Sequence, residues 1–91
     1  YTLGQNYPNP FNPTTKITYG LPENSTVSLV IYDILGREII SLLNHENQIA
    51  GNKVISWHGK DSFGRNLSAG MYLYVLEAGD FRQTKKMVLL K

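Results

Sequence analysis

The sequence predicts an all-β fold: an antiparallel, immunoglobulin-like two-sheet sandwich of about seven strands. Three observations carry this. Apolar and polar residues alternate with period two, the pattern of half-buried strands, and hardly any segment shows a helical stripe. Clusters of Gly, Pro, Asn and Asp interrupt the alternation at roughly ten-residue spacing. The 91 residues contain no long linker, low-complexity run or internal repeat, which suits one two-sheet core. Cys is absent, so a disulfide-bridged antibody-type domain is excluded.

Residues 6–13, Asn6-Tyr7-Pro8-Asn9-Pro10-Phe11-Asn12-Pro13, hold three prolines. Each lacks a backbone donor and fixes φ, which restricts the segment to an extended edge or a tight corner. In residues 16–21, Ile17, Tyr19 and Leu21 take one face and Lys16, Thr18 and Gly20 the other, and Pro22-Glu23-Asn24 ends the strand as a turn. Residues 26–33 are rich in β-branched side chains and apolar on both faces, as expected of a central strand. Asp33-Ile34-Leu35-Gly36-Arg37 reads as a turn centred on Gly36, where the reversal needs positive φ. Residues 38–43 resume the extended chain, and the polar stretch 44–52 reads as a loop. Residues 53–57 form the next strand, with Ile55 and Trp57 in phase and Trp57 the largest core side chain. Gly59 to Arg65 is turn chemistry around Asp61. Residues 71–78 alternate Tyr72, Tyr74 and Leu76 with Met71, Leu73 and Val75. Gly79-Asp80 then signals a hairpin into a last strand over 81–90. Val30, Val54, Leu73 and Val75 fall opposite the core face and leave a patch to be covered.

Composition narrows the function. Hydrophobic residues at 42% and charged ones at 18% describe a folded domain. At this length folding hides only about two-thirds of the surface of the unfolded chain, which disfavours a buried ligand pocket. The formal charge is only +2, with Arg82, Lys85, Lys86 and Lys91 gathered near the end. No stacking module accompanies them, so nucleic acid is not an expected partner. No apolar run is long enough to span a bilayer. The chain opens at Tyr1 without Met or leader and reads as a fragment whose targeting information lies upstream.

Ser56, His58 and Asp61 are the residue types of a nucleophilic triad. On one strand face, however, Ser56 and His58 have Cα atoms roughly 6.5 Å apart with parallel side chains, whereas a base must approach its nucleophile to about 3 Å. Turn and surface duties explain them better, and no catalytic residue is assigned. Two His and no Cys cannot build a zinc site. Asp33, Asp61 and Asp80 read as turn formers, and the glycines occur singly in turns, without a phosphate-cradling run. No metal or cofactor is implied. Tyr32, Trp57, Tyr72 and Tyr74 either fill the gap between sheets or form a sugar-stacking platform, and the phase of Trp57 with Ile55 favours the interior.

Five motifs then combine: Tyr7-Pro8-Asn9-Pro10-Phe11-Asn12-Pro13, Tyr32-Asp33-Ile34-Leu35-Gly36-Arg37, Trp57-His58-Gly59-Lys60-Asp61 with Gly64-Arg65, Ala69-Gly70-Met71-Tyr72, and Thr84-Lys85-Lys86-Met87-Val88-Leu89-Leu90. Over nearly its whole length the chain resembles the type A C-terminal sorting domains of the type IX (Por) secretion system. It is also similar to the immunoglobulin-like domain of flagellar hook-capping proteins, which shares the Asp-Gly-Arg-type turns and the Gly-x-Tyr strand start. The Tyr-Pro-Asn-Pro-Phe opening and the terminal Lys-Met-Val-Leu-Leu favour the sorting domain. His58 stands where that family commonly has Asp or Asn.

The resemblance implies that residues 1–91 are a single, non-catalytic C-terminal module of a larger exported protein. Such a module is recognised by the outer-membrane translocon and often cleaved by a sortase in exchange for a lipopolysaccharide anchor. Its partners would be translocon and sortase components and the upstream domains of the parent. The parent would pass through the periplasm and end secreted or on the cell surface. By the same resemblance the recognition elements are Tyr7, Pro8, Asn9, Pro10 and Phe11; Gly36 and Arg37; Gly70 and Tyr72; and Lys85, Lys86, Met87, Val88, Leu89 and Leu90. A terminal strand at a sheet edge can be offered to a receptor as an added strand. One of its faces would dock in the core while Lys85, Lys86 and Lys91 stay accessible to an acidic surface. Two alternatives stand beside this reading. One is a carbohydrate-binding-like or interdomain docking sandwich, which needs a solvent-facing row of aromatics. The other is a flagellar-hook-type structural domain, which needs self-association through a sheet edge or the Val30/Leu73 patch.

Overall fold

The alternating segments become seven strands in the computed structural model, which describes residues 1–90. They are β1 (Thr2–Leu3), β2 (Thr15–Leu21), β3 (Ser25–Asp33), β4 (Glu38–Gln48), β5 (Gly51–Trp57), β6 (Gly70–Ala78) and β7 (Phe81–Leu89). All strand pairs are antiparallel, in one sheet of order β1-β2-β5 and another of order β4-β3-β6-β7. The inward rows are those the alternation predicts. Ile17, Tyr19, Leu21 and Trp57 from the first sheet face Val27, Leu29, Ile31, Tyr72, Tyr74, Leu76, Met87 and Leu89 from the second, all of them buried. β3 lies inside its sheet between β4 and β6, which explains why both its faces are apolar.

Two elements differ from the sequence reading. The expected loop over 44–52 is mostly strand, because β4 continues to Gln48 and only Ile49 and Ala50 separate it from β5. Asn44, His45, Glu46 and Asn47 are exposed, so this overhang has no core face to impose an apolar alternation. It still pairs with β3 through Ser25↔Gln48, Thr26↔Asn47 and Val27↔Glu46, with a bulge where His45 takes φ 50° and donates its N–H to Ser28 Oγ at 3.1 Å. The proline-rich segment joins no strand and makes only isolated bridges, from Tyr7 to Lys16 and from Phe11 to Leu89, while the short first strand falls at Thr2–Leu3. The predicted patch is also divided. Val30, Leu73 and Val75 share the outer face of the four-stranded sheet, where the Val30↔Val75 pairing helps shield Val75, whereas exposed Val54 belongs to the other sheet.

Register fixes which ends of the strands coincide. The pairs Thr15↔Trp57, Asp33↔Tyr72 and Gly70↔Leu89 set the start of β2 and β6 and the end of β3, β5 and β7 at one pole of a molecule 36 Å long. Tyr1 is at the other pole, stacked on Phe81 at 5.4 Å and hydrogen-bonded to Ser25 Oγ at 2.9 Å.

Tyr74 ties the chain start to the core. Its hydroxyl donates to Gly4 O at 2.8 Å and accepts from Asn6 N–H at 2.9 Å, and burial holds the phenol above its ordinary pKa, in the neutral form that can do both. Replacing Tyr74 with Phe deprives a buried donor and an acceptor of their partner, so the expected loss is about 1–3 kcal/mol. Urea unfolding of wild type and Tyr74→Phe measures it, and an unchanged midpoint would refute this role.

Candidate recognition pole

The proline segment is a corner with a donor deficit. Pro8, Pro10 and Pro13 supply no N–H, so its carbonyls turn to side chains. Pro8 O accepts from Thr15 Oγ1 at 2.8 Å and from Asn6 Nδ2 at 3.2 Å, and Asn6 Nδ2 also donates to Thr15 Oγ1 at 3.0 Å. Asn6 and Thr15 are both fully buried under the corner. The Tyr7–Pro8, Asn9–Pro10 and Asn12–Pro13 peptides are cis.

Beyond the corner, the chain locks onto the edge of β7. Phe11 N–H donates to Val88 O at 3.0 Å, and Phe11 O accepts from Leu90 N–H at 2.8 Å, forming a parallel bridge at Leu89. Asn9 Oδ1 accepts from Val88 N–H at 3.0 Å, and Gln5 Nε2 donates to Lys86 O at 2.8 Å. The Phe11 ring, only 1% exposed, packs 5.7 Å from Trp57, which in turn meets Tyr72 edge-on at 5.8 Å. Tyr72 O–H donates to Ser68 O at 2.7 Å, the arrangement of a tyrosine corner in an immunoglobulin-like sandwich. A continuous aromatic contact therefore joins the opening motif to the Gly70/Tyr72 motif through the core.

Two turns at this pole are copies of each other. In each, an Asp carboxylate accepts two backbone N–H groups of its own loop: Leu35 and Arg37 bond Asp33 Oδ1 at 2.9 and 3.0 Å, and Phe63 and Arg65 bond Asp61 Oδ1 at 2.9 Å. The other oxygen takes the Arg Nε at 2.8 Å in both. Gly36 and Gly64 sit at φ 83° and 78°, which a side chain would strain. The repeat Asp-x-x-Gly-Arg therefore has a mechanism: carboxylate to organise the loop, glycine to reverse it, arginine to close it. It is short enough to pass for two unrelated turns in the sequence. The turns stand side by side, with Ser62 N–H on Ile39 O at 3.2 Å and a shared cavity of about 240 Å³ between Asp33, Arg37, Asp61 and Arg65. Both guanidinium groups point outward, 73% and 72% exposed, and Arg65 also covers the Phe63 ring at 5.0 Å.

The structure divides the sequence-predicted recognition residues into a displayed set and a buried set. Tyr7 at 80% exposure, Pro8, Asn9, Pro10, Gly36, Arg37, Gly70, Lys86 and Leu90 are exposed. Phe11, Tyr72, Met87 and Leu89 are core residues, and Lys85 and Val88 are half-buried. Met87 and Leu89 thus form the docked face of β7, and Lys86 remains accessible; Lys91, expected to be accessible too, lies outside the described residues. Gly70 and Tyr72 border the same cavity of about 280 Å³ as Asp33 and Arg37, so the Gly36/Arg37 and Gly70/Tyr72 motifs adjoin. Missed by the sequence reading were Gln5, Asn6 and Thr15, whose polar side chains serve the donor-poor corner. A proline-rich run flanked by Asn and Thr is the signal that could have found them.

The other candidates are engaged in local contacts or belong to the core. Asp61 is engaged by its own turn, and His58 Nδ1 faces Thr14 Oγ1 at 3.2 Å. Among the described residues no three His, Cys, Asp or Glu side chains are grouped to hold a metal ion. Trp57, Tyr72 and Tyr74 are buried and Tyr32 is half-buried, so they make no solvent-facing row.

Residues 5–90 match the family described as the secretion system C-terminal sorting domain. Among solved structures, dimeric latent PorU from Porphyromonas gingivalis superposes with TM-score 0.72 at 23% identity, over 93% of this chain and 9% of PorU. PorZ, a surface component of the type IX secretion system of P. gingivalis, gives 0.66 at 16% identity, over 96% of this chain and 11% of PorZ. FlgD from P. aeruginosa gives 0.63 at 26% identity, over 85% of this chain and 64% of FlgD. The chain thus spans about a tenth of the two Por proteins. No curated protein matches it.

The twin turns have a pH signature. In Asp33 and Asp61 the backbone N–H of Arg37 or Arg65, then the same residue's guanidinium and the remaining loop N–H, outweigh burial and hold the carboxyl below its ordinary pKa. A depressed folded-state pKa gives stability that is full above the unfolded value and is lost as pH falls through the folded one, here from about pH 4 downward. The double variant Asp33→Asn, Asp61→Asn should be less stable than wild type at neutral pH, and the gap should narrow below about pH 4. Thermal melts across that range check this; a gap independent of pH would contradict it.

Proposed function

The chain belongs to the secretion system C-terminal sorting domain family, and from that membership we propose that it is a non-catalytic module that carries a larger protein through the type IX system to the cell surface or medium. The observation that supports this best is the meeting of all four recognition elements at one pole, with the opening motif hydrogen-bonded to the terminal strand. Residue 1 is at the opposite pole, so upstream domains of the parent would hang from the far end and leave the recognition pole clear.

In this reading the displayed residues Tyr7, Arg37, Lys86 and Leu90 meet the translocon. Phe11, Tyr72, Met87 and Leu89 act by holding them in place. Sortase cleavage and transfer to a lipopolysaccharide anchor would follow export. The inward direction of Trp57, Tyr72 and Tyr74 removes the platform on which a carbohydrate-binding reading depended.

The test fuses residues 1–91, behind a periplasmic leader, to a fluorescent reporter in a bacterium with a working type IX system. Surface reporter is expected there and not in a translocon-deficient strain; equal delivery in both would end the proposal. The exposed double variant Tyr7→Ala, Arg37→Ala should keep its unfolding free energy to within about 1 kcal/mol yet lose most of the delivery.

A further inference from the structure

The outer edge of β7 is half covered and half open. Lys86 O, Val88 N and O, and Leu90 N are all bonded from outside the strand, by Gln5, Asn9 and Phe11. In an antiparallel pair, residues alternate between turning their backbone groups to the partner and away from it. Arg82 and Thr84 have the parity of Lys86 and Val88, so their N–H and C=O also face outward. Among the described residues nothing bonds these groups, and both side chains are exposed. The covering segment cannot extend to them, because it diverges at Gln5 toward β1.

The side chains of this open stretch make a pattern. Arg82, Thr84 and Lys86 stand in a row on the outer face of the sheet, opposite Glu77, Val75 and Leu73 of β6. The Arg82–Glu77 pair, at 3.1 Å, is exposed on both sides, so it is weak and leaves Arg82 free to turn to a better partner. A second copy docking antiparallel about Thr84 would set Arg82 against Lys86 twice, with like charges opposed at both pairs. A strand with carboxylates at the matching positions would instead pair both cations. The remaining edges offer no such row. β4 is interrupted by three register shifts, β1 has two residues, and β5 carries a single cation, Lys53.

We propose that the open edge of β7 at Arg82 and Thr84, bounded by Lys86, whose carbonyl Gln5 occupies but whose side chain is exposed, is a docking site for an extended acidic segment of a partner protein, which adds as a further strand beside β7. The proposal deepens the sorting reading, on which it rests for the setting in which the partner is met. Main-chain hydrogen bonds supply the attachment, and the Arg82/Lys86 pair selects carboxylate-bearing strands and rejects self-pairing.

Amide chemical shifts of the 91-residue chain, titrated with acetyl-Glu-Val-Thr-Val-Glu-amide and with its Lys-for-Glu counterpart, test the site. Shifts should centre on residues 82–86, with the acidic peptide binding at least about tenfold more tightly. Thr84→Pro removes an outward N–H that the β6 pairing does not use, so the variant should fold and lose at least about tenfold in affinity. The charge variant Arg82→Glu, Lys86→Glu should reverse the peptide preference, and serves if the proline variant does not fold. Shifts elsewhere, equal binding of both peptides, or concentration-dependent self-association abolished by either variant would overturn the proposal. Peptide binding lost with reporter delivery intact condemns the docking site alone. Peptide binding intact with no translocon-dependent delivery condemns the sorting reading alone.

Discussion

Prolines at 8, 10 and 13 cannot donate hydrogen bonds, so the opening segment cannot pair as a continuous strand, and it is tied to β7 through Phe11 instead. Phe11 supplies both the backbone pair that reaches Val88 and Leu90 and the ring that enters the core beside Trp57. A two-point backbone bridge on an exposed edge would fray by itself. Anchored by a ring whose removal would cost about 3–5 kcal/mol in a typical core, it holds. The position of every exposed candidate residue on the opening segment and on β7 follows from this closure, since Tyr7 and Asn9 precede it by a few residues, Lys86 lies just before it and Leu90 takes part in it.

The twin turns show a second form of rigidity, gained without burial. Each has its Asp, 15% and 12% exposed, surrounded by donors of its own loop, so the turn carries its own interior. That allows Ile34, Leu35 and Phe63 to stand exposed at the tips without the loops collapsing onto the sheet. Loop order usually depends on packing against the rest of the fold; here it depends on one carboxylate, which is why acid should loosen the pole before the core.

How much of this the sequence discloses depends on which interaction decides each residue. β2 was legible because a single buried face imposes period two, β3 and β6 because strands inside a sheet are apolar on both faces, β7 because Gly79-Asp80 signals a hairpin, and the turn at Gly36 because a reversal with positive φ needs glycine. The overhang at 44–48 was not, because backbone pairing alone sustains it and leaves no mark on side-chain polarity. Asn6 and Thr15 were hidden for the opposite reason. They are polar residues in the core whose partners are carbonyls freed by prolines, a relation between a segment and its neighbours in space. The motif residues were legible as a set through resemblance, but the set does not distinguish Tyr7, which is displayed, from Phe11, which is buried four residues later.

That distinction bears on any experiment at the C-terminus. Met87 and Leu89 are fully enclosed, and Leu89 is bridged to Phe11, so shortening the chain by a few residues withdraws core side chains and frees the opening corner together. Domains of this size have roughly 5–15 kcal/mol of stability, and two buried aliphatic side chains contribute about 2–5 kcal/mol each. A truncation that abolishes sorting is therefore explained by unfolding as well as by a lost receptor contact. The two causes separate only at residues whose side chains are exposed and bonded to nothing in the core, and on β7 those are Arg82 and Thr84, on the stretch of edge the opening segment leaves uncovered, and Lys86 at its boundary.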